Sequence, residues 1–128
     1  MMNDKGFTLI EVLIAVVLLS IAVMSLGQFM GKYQNATAKA TLLSTMTTVA
    51  KERLETVRAD PRYTTLTSRY DGTDTASSGG YKMIRQTKVV RDQSGSPARD
   101  RTTITVRVFP VPAITKDTVK LTAVVARP

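Results

Sequence analysis

The chain of 128 residues contains no cysteine, no histidine and no tryptophan. Each absence removes a class of function. Without cysteine there is no thiolate nucleophile and no disulfide. Without histidine there is no imidazole base, so Ser-His-Asp and Cys-His catalytic sets are excluded, and so are zinc sites of the usual kind. Aromatic residues make up only 5% of the chain, too few to build a stacking platform for bases or sugar rings. The remaining Asp, Glu, Ser and Lys residues show no spacing that pairs a base with a nucleophile. No enzymatic activity, no cofactor and no metal centre are therefore expected. The length allows one small domain in addition to any membrane segment.

What the chain does have is a long apolar run. From Val12 to Gly31 no residue is charged. At ~1.5 Å per residue such a run just crosses a ~30 Å hydrocarbon core as a helix. Glu11 stands at its start, and an acid within a membrane helix costs roughly 2.5–3.5 kcal/mol at the centre, less towards the end. A plain anchor has no use for that cost, whereas a helix that meets a positive group in lipid does. A secretory signal would have a shorter apolar region followed by a small-residue cleavage site. An ordinary signal anchor is the simpler alternative. Lys5 is opposed by Asp4, and Lys32 and Lys39 follow the helix, so charge alone leaves the topology undecided.

Gly6-Phe7-Thr8-Leu9-Ile10-Glu11, after a short polar leader, resembles the class III signal of type IV pilins and type II secretion pseudopilins. The resemblance implies cleavage between Gly6 and Phe7 by a membrane prepilin peptidase, with N-methylation of the new amino terminus at Phe7. Gly6 suits a tight protease cleft, having no Cβ to clash. Glu11 would lie one helical turn from the Phe7 amine and help register each subunit during assembly. The implied partners are other pilin or pseudopilin subunits, the peptidase, an inner-membrane assembly platform and the inner-membrane lipid. The implied location is the bacterial inner membrane, single-pass with the head in the periplasm, and afterwards a filament. Many pilins close a C-terminal loop with a disulfide, and this chain departs from that pattern.

Four regions are expected: a leader at 1–6, a membrane and filament-core helix at 7–31, an amphipathic helix at 32–60, and a loop plus sheet at 61–128. Tyr33, Ala36, Ala40, Leu43, Thr47, Ala50, Leu54 and Val57 alternate by three and four, the mark of one buried helical face, which Leu42, Met46 and Val49 widen. Asp60-Pro61 ends the element, because the residue before proline is pushed out of the α region. One helix from Phe7 to about Ala59 would be roughly 80 Å long. Gly27 and Gly31 mark either a point of easy bending or a site of close helix packing.

Asp60 to Gly80 reads as a long polar loop. Asp71 and Asp74 lie in a short acidic turn that lacks the full calcium-loop pattern. Three strands follow. Tyr81 to Arg91 is β-rich with no clear inward face. Arg101 to Phe109 alternates with Ile104, Val106 and Val108 on one side, and Pro110-Val111-Pro112 interrupts it. Val119, Leu121, Ala123 and Val125 alternate again. A sheet of about 70 residues without a disulfide has too little core to stand alone. The helix stripe and the sheet therefore complete each other, giving an α+β head with a small antiparallel meander, as the pilin resemblance also implies.

The run Ala50-Lys51-Glu52-Arg53-Leu54-Glu55-Thr56-Val57-Arg58, the short head and the absent disulfide resemble PilV-type minor pilins and I-type minor pseudopilins. The expected function is a low-copy filament subunit near the tip that aids assembly, with a type II secretion pseudopilin as the alternative. Beyond Gly31 the chain carries 17 basic and 8 acidic residues, a net of +9. Lys82, Arg85, Lys88, Arg91, Arg99, Arg101 and Arg107 form a basic set on the first two expected strands and their turn. Such a set can hold phosphates without sequence preference, which gives a DNA-binding pilin as a further alternative. The simpler account is a solvated face or one that meets an acidic neighbour.

Overall fold

The computed structural model describes residues 6–95, 99–112 and 116–126. Helix α1 runs unbroken from Leu9 to Ala59. It begins two residues later than expected because Thr8 caps it: the Glu11 and Val12 amides donate to the Thr8 carbonyl at 3.1 and 3.2 Å. It ends where Asp60-Pro61 forbids another turn. Gly27 and Gly31 are both helical, and a Cβ added at either would meet nothing within 4 Å. Among the few polar groups of the apolar run, the Ser20 and Ser25 hydroxyls donate back to the Val16 and Ile21 carbonyls, at 2.8 and 2.9 Å. That arrangement leaves neither hydroxyl without a partner in an apolar surround.

The chain divides into two compact units, residues 1–39 and 40–128. In the first, every described side chain is exposed, and the apolar window of the helix is long and hydrophobic enough to cross a membrane. The second is the head. Its share of α1 buries Met46, Val49, Ala50 and Val57, with Leu42 and Leu54 packed against them. The buried seam thus runs through Met46 and Val49 rather than Leu43 and Thr47, which are only half-buried. Adjacent apolar pairs, Leu42-Leu43 and Val49-Ala50, fit either seam by spacing. The first part of the expected stripe is not buried: Tyr33, Ala36 and Ala40 are exposed, because the residues of α1 that pack on the core begin at Leu42.

After α1 come a 3-10 turn, Tyr63–Thr65, and a one-turn helix α2, Leu66–Tyr70. Asp60 ties this corner together: its carboxylate accepts from the Arg62 amide, the Tyr70 hydroxyl and the Arg69 guanidinium. Those bonds hold its pKa below the usual carboxylate value, the Arg62 amide contributing most. Leu66 closes one end of the core.

Four strands form the sheet: β1 Gly72–Ser78, β2 Tyr81–Asp92, β3 Arg101–Val111 and β4 Val119–Ala126. They lie in sequence order, all antiparallel, as a meander. β1 corrects the reading of Asp60 to Gly80 as one loop. Its Thr-Asp-Thr-Ala-Ser-Ser sequence is polar because it is an edge strand, with half-buried Asp74, Ala76 and Ser78 alternating with exposed residues. Gly79 and Gly80 join it to β2 with φ of 57° and 80°, the left-handed pair that a two-residue hairpin turn requires.

The inward face of β2 carries Met83, Thr87 and Val89, with half-buried Arg85 and Arg91 between and beyond them. β3 buries Thr102, Ile104, Val106, Val108 and Pro110. It continues through Pro110 to Val111, two residues past its expected end at Phe109. β4 pairs with β3 only as far as Val108, so Pro110 sits where β3 is itself an edge, and a missing donor costs nothing there. Val119, Leu121 and Val125 of β4 pack on the same core. The head is therefore an α+β layer pair, the second half of α1 against one face of a four-stranded antiparallel meander.

Candidate functional site

Two regions carry the residues that the sequence singles out. The first is the N-terminal segment. Gly6, Phe7 and Thr8 are non-helical and exposed, and Phe7 is 84% accessible. The backbone on both sides of the Gly6–Phe7 bond is thus open to a protease. Thr8 is the N-cap: besides its carbonyl, its Oγ1 accepts from the Glu11 amide at 3.3 Å. Glu11 is the acid of the first turn. Thr8 and Glu11 occupy the capping-box positions, Thr-x-x-Glu ahead of an apolar run. The Thr-x-x-Glu spacing is the signal by which the sequence marks Thr8 as a cap. Phe7, Glu11, Ala15 and Leu19 recur every four residues and line one side of a shallow groove of about 430 Å³ along the helix. Phe7, ahead of the helix, and Glu11, in its first turn, therefore border the same groove.

The second region is the basic set, which the fold divides. Arg85 and Arg91 lie on the helix-facing side of the sheet and are paired. Arg85 makes a two-pronged bond to Asp74, and Arg91 makes another to Asp100. Each arginine holds its partner carboxylate below the usual range. Asp74 is thus engaged by Arg85, and among the described residues no group of acids has the arrangement of a metal site. Arg53, which bonds the Thr87 hydroxyl, and Tyr63, which donates to Asp100, extend these pairs towards the helix and the 3-10 turn. Arg101 bonds Asp92 across the β2–β3 turn. Asp92 also accepts from the Ser94 hydroxyl and amide, and these bonds, with Arg101, lower its pKa to about 2. Arg99 is exposed beside that turn, whose residues 96–98 lie outside the described set.

Lys82, Lys88 and Arg107 remain on the opposite, solvent-facing side, and Lys120 of β4 joins them. Lys120 lies directly opposite Arg107, and Arg107 opposite Gln86. Lys88 lies opposite Thr105. Gln86, Lys88, Thr105, Arg107 and Lys120 line a shallow cavity of about 240 Å³. Lys120 was missed because basic residues were grouped by nearness in sequence. The two-residue period of β4 puts Lys120 on the face opposite Leu121 and Val119, which was a sufficient signal.

Residues 1–27 match the family model described as the prokaryotic N-terminal methylation motif. No curated protein and no solved structure matches the chain. The matched motif marks a structural family, not an enzymatic one, and the apolar helix behind it is consistent with membrane anchoring. The match supports a type IV pilin or pseudopilin, processed by prepilin peptidase and assembled with other pilin subunits.

Proposed function

We propose that the chain is a minor type IV pilin, a low-copy filament subunit that acts near the tip in assembly. Prepilin peptidase cuts between Gly6 and Phe7 and methylates the Phe7 amine. Glu11 then pairs with that amine, within the subunit or between neighbours. The observation that carries this reading is the pairing of the methylation motif at residues 1–27 with the apolar window of α1, none of which is buried within the chain. Such a surface needs an outside partner, and lipid before assembly and neighbouring helices after it supply one. The gain on leaving lipid is close packing, because lipid is already apolar. The head, held by packing without a disulfide, stays on the periplasmic side of the inner membrane and then on the filament.

The test is the mass of the N-terminal peptide from cells with and without the prepilin peptidase. The expected peptide starts at N-methylated Phe7 and is lost without the peptidase. A chain beginning at Met1 or Met2 in both strains would overturn the proposal. Shearing of the cells then separates the two filaments, since a surface filament containing the chain is a pilus. A strictly periplasmic location would replace the minor pilin with a type II secretion pseudopilin, which the run Ala50 to Arg58 also resembles.

A further inference from the structure

Filament assembly through the N-terminal helix makes no use of the solvent-facing side of the sheet. Lys88, Arg107 and Lys120 come there from three successive strands. Adjacent strands lie about 4.8 Å apart, so three cationic side chains gather within roughly 10 Å across the sheet. Arg107 and Lys120 are directly opposed, and like charges so placed destabilise a sheet pair. Elsewhere on the head the same residue types are neutralised: Arg85, Arg91 and Arg101 each have an aspartate. Among the described residues, no ion pair involves Lys88, Arg107 or Lys120. Gln86 and Thr105 add an amide and a hydroxyl donor to the same cavity.

We propose that this cavity is a phosphate-binding site through which the head holds the backbone of duplex nucleic acid irrespective of sequence. The lining decides the class of ligand. It consists of cations and neutral donors, the groups that contact phosphate oxygens. No apolar or aromatic side chain lines it, so it offers no pocket for the buried anchors on which protein interfaces depend. The same lack of aromatic faces removes base stacking, which single-strand binding needs, and leaves the duplex backbone as the fitting polyanion.

The site sets a salt dependence. Three neutralised phosphates give a slope of about −2.7 in log affinity against log salt, so a threefold rise in salt weakens binding about twentyfold. The experiment uses the full chain in a non-ionic detergent and a short mixed-sequence duplex, titrated at low and threefold higher salt. Arg107→Gln is expected to reduce the slope by about 1. Combining Lys88→Gln, Arg107→Gln and Lys120→Gln is expected to abolish binding. The combination Lys32→Gln, Lys51→Gln and Arg62→Gln removes the same charge elsewhere and is expected to leave affinity within about twofold. All six side chains are exposed, so neither combination disturbs the core. Absence of binding at low salt would overturn the proposal, as would an equal loss in both combinations. Binding of polyglutamate but not of the duplex would overturn it in favour of an acidic protein partner. The peptidase experiment above is independent of this one, and either can fail while the other stands.

Discussion

Met46→Ala tests whether the second half of α1 and the sheet are one folded unit. Met46 is fully buried on α1, within a core shared with Met83, Ile104, Val106 and Val108 of the sheet. The substitution removes the side chain beyond Cβ and leaves a cavity, at a cost of about 2–5 kcal/mol for a buried methionine. Alanine is the stronger helix former, so loss of helix propensity cannot account for any destabilisation. The natural control is Met30→Ala, the same change on the same helix at a half-exposed position, expected within about 0.5 kcal/mol. Amide exchange at Ile104, Val106 and Val108 of β3 reads the opening of the head. A loss of 2 kcal/mol raises the open population about thirtyfold, so exchange accelerates at least that much in Met46→Ala and about twofold or less in Met30→Ala. Equal acceleration in the two variants, or none in either, would refute the packing of helix on sheet. The measurement uses the full chain in detergent, so the helix is never cut from the domain it completes.

Two further outcomes follow from the head. Thr102 is buried with its Oγ1 unpartnered among the described residues, so Thr102→Val removes an unsatisfied hydroxyl at nearly constant shape and should stabilise by about 1 kcal/mol. For a domain of this size that raises Tm by about 4–8 °C in a thermal melt, and a fall in Tm would show that the hydroxyl has a partner. Asp60, Asp74, Asp92 and Asp100 all have folded pKa values below the ordinary 3.8. A depressed folded pKa contributes stability that is present above the unfolded value and lost as pH falls through the folded one. Head stability should therefore hold above about pH 4 and fall towards pH 2, where Asp92 protonates. Asp92→Asn should flatten that fall in an acid titration followed by amide exchange, and an unchanged profile would remove Asp92 from the cause.

The legible parts of the fold were those where one face is uniformly apolar. Ile104, Val106 and Val108 declared β3, Val119 to Val125 declared β4, and the three-four spacing declared the helical stripe from Leu43 to Val57 but carried it back too far, to the exposed Tyr33, Ala36 and Ala40. β1 was hidden because an edge strand need not be apolar, and only Gly79-Gly80, as a hairpin turn, betrayed it. The inward face of β2 was unreadable because Arg85 and Arg91 stand on it, each made tolerable by an aspartate brought beside it by strand pairing. That pairing is a tertiary fact. The same blindness explains the basic set, which residue counting treated as one patch. Alternation across β2 and β3 divides it between faces, and pairing silences the arginines on the helix-facing side. The helix start was legible for a different reason, since the Thr8-x-x-Glu11 spacing is local to one turn of helix.

Glu11 has two physical reasons to be acidic, and a pair of variants separates them. As the acid of the first turn it opposes the partial positive charge of the helix N-terminus, and with Thr8 it occupies a capping box. Either reason would suit any helix. The proposed pairing with the Phe7 amine needs the charge itself. Glu11→Gln keeps a capping-box residue, because glutamine serves there as well as glutamate, but removes the charge. Thr8→Ala does the reverse, forfeiting about 1 kcal/mol of cap and leaving the carboxylate. The Val12 amide, which donates to the Thr8 carbonyl, reports the first turn. Its exchange should quicken about fivefold in Thr8→Ala and stay within about twofold in Glu11→Gln. Recovery of each variant in sheared filaments reports assembly, with Glu11→Gln expected to be lost and Thr8→Ala retained. If Glu11→Gln enters filaments as readily as the parent chain, the charge has no assembly role. The acid would then serve only to start the helix, and methylation of Phe7 would need a purpose other than completing a pair with it.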